Sequence, residues 1–124
     1  MKVTGPLVSV VDDDESVRES LPDLLREFGY DVDAFASGEE FLASGTMDRV
    51  GCLVVDVAMP GMSGPDLMRH LHASGATVPI VFITAHGDDM ICPQLISQGA
   101  VACLFKPFDE LELRESLDAA FKAS

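Results

Sequence analysis

Positive charge is scarce: 8 of the 124 residues are Lys or Arg, against 21 Asp and Glu, for a formal net charge of −13. Such a surface repels phosphate backbones and anionic lipid, so direct nucleic-acid or membrane binding is not expected. No run of about 20 apolar residues exists to span a bilayer. The first residues, MKVTGPLVSVVDDD, hold one Lys and a short apolar run that enters acid at once, unlike a signal peptide. Cysteine is sparse as well. Cys52, Cys92 and Cys103 are odd in number and lack CxxC spacing, which argues against a disulfide framework or zinc site and for a reducing cytosol. Repeats, low-complexity stretches and Pro-, Gly- or Ser-rich linkers are all missing. One domain, 1–124, is expected, and 48% hydrophobic residues can furnish its core.

What is present is an alternation of apolar runs and amphipathic stretches. Leu7–Val11 is apolar and ends in Asp12, Asp13 and Asp14; Val17, Leu21, Leu24, Leu25 and Phe28 then fall at helical spacing, closed by Gly29. Asp31–Phe35 alternates weakly, as an edge strand does, and Ser37 with Glu40 reads as a capping box for a short helix through Leu42. Cys52–Val55 is continuously apolar up to Asp56, the pattern of a strand buried on both faces. After a loop, Val57–Gly64, Pro65 suits a first helical turn, with Leu67, Met68 and Leu71 facing inward. Pro79–Ile83 is the next strand, ending at Thr84, and Val101–Phe105 the last, ending at Lys106-Pro107. Asp109 and Glu112 cap a final helix that buries Leu113, Leu117, Ala120 and Phe121.

Five strand–helix units imply an α/β fold with a parallel sheet wrapped on both sides, and a flavodoxin-like (βα)5 order of 2-1-3-4-5. Two prolines disturb the pattern. Pro22 inside the first helix should bend or loosen a turn. Pro93 falls within the fourth helical stretch, Asp88–Gln98, so that helix is expected to start near Pro93 with 87–92 as a loop; a kinked helix running through is the alternative.

Ligands of open parallel sheets bind outside the carboxyl ends of the strands. There the chain places Asp12 and Asp13 after strand 1, Asp56 after strand 3, Thr84 after strand 4 and Lys106 after strand 5. Each has a bland reading alone, since acids favour helix starts and Asp or Thr often closes a turn. Their convergence on one patch is harder to explain that way. Three close carboxylates need a cation, and an all-oxygen set suits Mg²⁺. With Lys106 and Thr84 to receive phosphoryl oxygens, an Asp here can act as a nucleophile that becomes an aspartyl phosphate.

These residues stand in VVDDDESVR at 10–18, VVDVAMPGMSG at 54–64, VFITAHG at 81–87 and KPF at 106–108, and with them the whole chain resembles a response-regulator receiver domain of a two-component system, in its FixJ-like branch. The resemblance implies that Asp56 is phosphorylated and that Asp12, Asp13, Asp56 and the backbone carbonyl of Ala58 surround Mg²⁺, Asp12 through water. It implies that Thr84 and Lys106 contact the phosphoryl group, that the Lys106–Pro107 peptide is cis, and that Pro60 and Gly64 shape the loop whose Ser63 caps the third helix. A histidine kinase or phosphotransfer protein would be the cytoplasmic donor. The fourth helix, fifth strand and fifth helix would form the output and homodimer face, here as the N-terminal part of a transcription regulator or as a stand-alone domain.

Departures from the family pattern bear on switching. Cys103 stands where the family has an aromatic residue that swings inward, and it reads as packing; Cys92, in the expected loop, is better placed for reactivity. Ala58 and His86 hold the positions that tune phosphoryl lifetime, and Ala58 has no polar group to orient water. The alternative to a phosphorylation switch is a phosphate-independent receiver acting as an interaction module. A metabolic enzyme is not expected: a haloacid-dehalogenase-type phosphatase would need an Asp at position 58, and a flavin or nucleotide binder would not place three Asp after strand 1.

Overall fold

A computed structural model describes residues 6–85 and 90–123. The chain alternates β1 (Leu7–Val11), α1 (Glu15–Glu27), β2 (Asp31–Phe35), α2 (Gly38–Ala43), β3 (Val50–Asp56), α3 (Gly64–Ala73), β4 (Ile80–Ala85), α4 (Ile91–Ser97), β5 (Ala102–Lys106) and α5 (Glu110–Ala123). The strands form one five-stranded sheet in the order β2-β1-β3-β4-β5, every pairing parallel. This is the expected flavodoxin-like α/β topology.

Strand periodicity divides the core between the two faces of the sheet. Val8, Val10, Cys52, Val54, Val81 and Ile83 join Leu21 and Leu25 of α1 and Leu113 and Leu117 of α5. Their sequence neighbours Val11, Leu53, Val55, Ile80 and Phe82 join Phe41 of α2, Leu67, Met68 and Leu71 of α3 and Leu95 of α4. Ser9 is buried in β1 but not orphaned, since its hydroxyl donates to Asp33 on β2. Phe121 is only half-buried, stacked on Tyr30 with ring centroids 5.2 Å apart.

The caps follow from the sequence. Asp14 accepts from the Ser16 amide at 2.9 Å to open α1, and Gly29, at φ 101°, supplies the left-handed turn that closes it, so that the Tyr30 amide reaches the Leu25 carbonyl. The helix continues through Pro22, which is buried, for another turn. Ser37 caps α2 as expected, but Glu40 reaches back to the Ala36 amide rather than to that of Ser37. In α5, Asp109 and Glu112 each accept from the other's amide.

Two expectations are corrected. Helix α4 starts at Ile91, so Ile91 and Cys92 are helical rather than loop; Pro93 then lies in the first turn, where its missing N–H would have no intrahelical acceptor anyway. Residues 87–89 of that expected loop lie outside the described residues. The second correction concerns the cysteines: Cys92 and Cys103 form a disulfide with their Cα atoms 5.5 Å apart, leaving Cys52 as the free thiol. The first turn of α4 packs beside β5, bringing together two residues 11 apart in sequence. That pairing depends on tertiary packing rather than on a spacing motif, and the inference of a reducing compartment from cysteine usage loses its basis.

Candidate functional site

Strand register builds the acidic cluster. Val11 pairs with Val55, so Asp12, just past β1, stands beside Asp56, the last residue of β3, which itself pairs with Ile83 of β4; Ala85 of β4 pairs with Lys106 of β5. One carboxylate oxygen from each of Asp12, Asp13 and Asp56 lies within 4.8 Å of the other two. Asp12 is fully buried, Asp56 is 6% exposed, and Asp13 faces solvent. The Lys106 ammonium spans the gap, with Nζ 3.1 Å from Asp12 Oδ2 and 3.5 Å from Asp56 Oδ1.

Electrostatics follow from this geometry. Burial, reinforced by the neighbouring Asp12 charge, pushes the Asp56 carboxyl up to about 6 against the opposing pull of Lys106. Burial opposes the charge on Lys106, but Asp12 and Asp56 together outweigh it and hold its pKa above the ordinary lysine value. One ammonium does not balance three carboxylates. An all-carboxylate donor set with one solvent-facing member fits a hard divalent cation that keeps part of its water.

Surrounding residues fix this arrangement. The Asp14 amide donates to Asp12 Oδ1 at 2.9 Å. Arg18 Nη1 donates to the Asp12 carbonyl at 2.9 Å, a role that the reading of VVDDDESVR did not assign. Thr84 is 7% exposed in β4, and its hydroxyl donates to the Ala85 carbonyl. In the β3–α3 loop Ala58 and Pro60 are exposed, and Ser63 closes a capping box with Asp66, each side chain accepting from the other's amide at 3.1 Å. Gly64 is held against β3: a Cβ there would stand 2.5 Å from the Asp56 carbonyl oxygen and 2.9 Å from the Phe82 ring. The Lys106–Pro107 peptide is cis, as the resemblance implied.

The structure thus brings together Asp12, Asp13, Asp56 and Lys106. Cys103 is not among them, being tied to Cys92. His86 lies outside the described residues. A surface cleft of about 540 Å³ lies elsewhere, among Met47, Gly51, Ser74 and Pro79, with Asp48 its one titratable side chain. It has none of the cluster's chemistry.

A doubly wound parallel sheet carrying an acidic cluster and a lysine at its carboxyl edge defines a class of α/β domains in which the strand ends hold the functional groups. The chain belongs to the response regulator receiver domain family, which it matches over residues 8–118. It is 41% identical over 122 residues to the response regulator protein TodT of Pseudomonas putida, covering 98% of this chain and 54% of that protein. It is 44% identical over 117 residues to nodulation protein W of Bradyrhizobium diazoefficiens, covering 94% of this chain and 52% of the relative. The chain therefore spans about half the length of these curated relatives. Among solved structures, FixJ-N superimposes with a TM-score of 0.86 at 36% identity, covering 100% of this chain and 98% of that one. Among the described residues no helix is long and apolar enough to cross a membrane.

Proposed function

We propose that the domain accepts a phosphoryl group on Asp56 from a phosphohistidine donor, a sensor histidine kinase or phosphotransfer protein of the cytoplasm. The observation that carries this reading is the pairing of a buried Asp56 with Lys106 inside a cluster of three carboxylates. An Asp56 carboxylate oxygen attacks phosphorus, a P–O bond forms as the donor P–N bond breaks, and the leaving imidazole takes up a proton. Lys106 and Thr84 stabilise the charge on the transferring oxygens. Asp12, Asp13, Asp56 and the Ala58 carbonyl would hold Mg²⁺, which supplies charge neutralisation on the phosphoryl oxygens. Hydrolysis then returns the carboxylate and releases phosphate. Acceptance and loss of the group form a signal; no metabolite is turned over, and the domain is not an enzyme in that sense.

The resemblance to FixJ and TodT supports a place in a transcription regulator whose DNA contacts lie outside these residues, with output and homodimerisation through α4, β5 and α5. The disulfide at Cys103 favours one variant of this reading, a receiver whose face works independently of phosphate. The intact acidic cluster favours phosphate use. Incubation with phosphoramidate and Mg²⁺ should add about 80 Da to the intact mass of the wild type and nothing to Asp56→Asn. An unchanged wild-type mass favours the phosphate-independent variant.

A further inference from the structure

We propose that Cys92 and Cys103 form a reversible redox-modification site that sets the rigidity of the α4–β5 face. The bond joins the first turn of α4 to the second residue of β5 across a Cα separation of 5.5 Å, within the ordinary range for a disulfide. Strand β5 is independently held there by its register with β4, in which Cys103 pairs with Phe82, and α4 by Leu95, which is buried against the sheet. Both sulfurs therefore stand within reach of each other whether or not they are bonded.

Accessibility separates this pair from the third cysteine. Cys92 and Cys103 are both half-buried, whereas Cys52 is fully enclosed in β3 and burial pushes its thiol up to about 12. A reagent can reach the pair and leave Cys52 as an internal control. Nor does the fold depend on the bond: the two core clusters are built from buried side chains of β1, β3, β4, β5 and all the helices, and neither bonded cysteine is among those buried residues, Cys103 only packing against their edge. A domain of this size has no need of a staple, and a disulfide that reagents can reach exchanges more readily than an enclosed one.

The bond's position gives it a consequence. Met90, Ile96 and Phe105, which are 66%, 45% and 38% exposed, lie before α4, on α4 and on β5, so the bond ties together the two elements that carry these exposed apolar side chains. Opening follows thiol–disulfide exchange. A thiolate of an added dithiol attacks one sulfur, the S–S bond breaks and a mixed disulfide forms. The second thiol of the reagent then closes on the first and releases the remaining cysteine, so that two electrons and two protons pass to the pair. Oxidation reverses this with glutathione disulfide, whose two glutathione thiols leave in turn.

The test equilibrates the purified protein in glutathione buffers from fully reduced to fully oxidised, quenches with acid, alkylates differentially and maps the labelled peptides. Cys92 and Cys103 should interconvert together and reversibly while Cys52 stays unlabelled without denaturant. Amide exchange over 91–103 should be at least about 10-fold faster in the reduced protein, with α1 and α3 unchanged, and the faster rate should persist in Cys92→Ser and Cys103→Ser under oxidising buffer. Failure of the pair to oxidise, or equal exchange in both states, overturns the proposal. Phosphoramidate labelling of the same samples keeps the two readings apart: a redox-dependent exchange rate in a protein that never gains about 80 Da upholds this site and defeats phospho-acceptance.

Discussion

Lys106 and Asp12 stand 94 residues apart in sequence and 3.1 Å apart in space, the ammonium donating to a fully buried carboxylate. The same ammonium lies 3.5 Å from Asp56, so one cation ties the two central acids of the cluster to the far end of the chain. Removing it leaves Asp12 buried and facing Asp56 with no cation between them.

Lys106→Ala should therefore destabilise the metal-free protein by about 1–3 kcal/mol, below the cost of breaking a fully buried pair because the lysine side chain is 26% exposed. Urea unfolding in the presence of a chelator measures this. Added Mg²⁺ should recover part of the loss, since a divalent cation replaces the missing charge. A variant as stable as wild type without metal would show that the pair carries no net stabilisation.

Asp56 sets the pH dependence. Its folded pKa, about 6, is raised from the ordinary carboxylate value of 3.8, so between these values the folded protein binds more protons than the unfolded one. Stability from this group is present at low pH and is lost as pH rises through about 4 to 6. The full shift corresponds to about 3 kcal/mol, which water at the mouth of the site lowers to about 1–2 kcal/mol. Asp56→Asn, unable to ionise, should be more stable than wild type by that amount at pH 7.5 without metal, with the gap closing toward pH 4. Denaturation midpoints that stay parallel across this range would contradict the assignment.

Gly64→Ala tests the wall behind Asp56. The added methyl meets the Asp56 carbonyl oxygen at 2.5 Å, a backbone atom that cannot give way without moving the acceptor itself. Overpacking of this kind costs about 1–3 kcal/mol. The variant should unfold at lower denaturant and accept phosphoryl groups from phosphoramidate more slowly. Normal labelling in a destabilised protein would separate the packing role from the positioning of Asp56.

Much of this was legible because the signals were local. The apolar run Cys52–Val55 ending in Asp56 carried both a buried strand and the residue at its carboxyl edge, and the same held for Val11–Asp12; in β5 the run marked Lys106 although that edge strand is only partly buried. Helix caps at Ser37 and Asp109 could be read from side chains that bond three residues away. What could not be read depends partly on residues meeting across the fold. Cys92 finds Cys103 only because α4 packs on β5. Arg18 reaches the Asp12 carbonyl six residues back, a local contact that no spacing motif announces. Position 93 illustrates a third case: proline excludes a helix interior but permits a first turn, so the residue alone bounds the start of α4 without fixing it.

Asp13 offers the most discriminating test of the cation. It is the exposed member of the cluster, so its removal leaves the core and the Lys106 pairings in place. Asp13→Ala should unfold within about 0.5 kcal/mol of wild type when no metal is present. Wild type should gain stability with added Mg²⁺ by mass action, about 2.7 kcal/mol at a hundredfold excess over the dissociation constant, which raises the melting temperature by several degrees. The variant should lose most of that response while keeping its metal-free melting temperature. With no tryptophan and one tyrosine, the chain is better followed by circular dichroism than by intrinsic fluorescence. A Mg²⁺-dependent shift of equal size in both proteins would remove Asp13 from the ligand set and leave Asp56 and Asp12 to hold the ion without it.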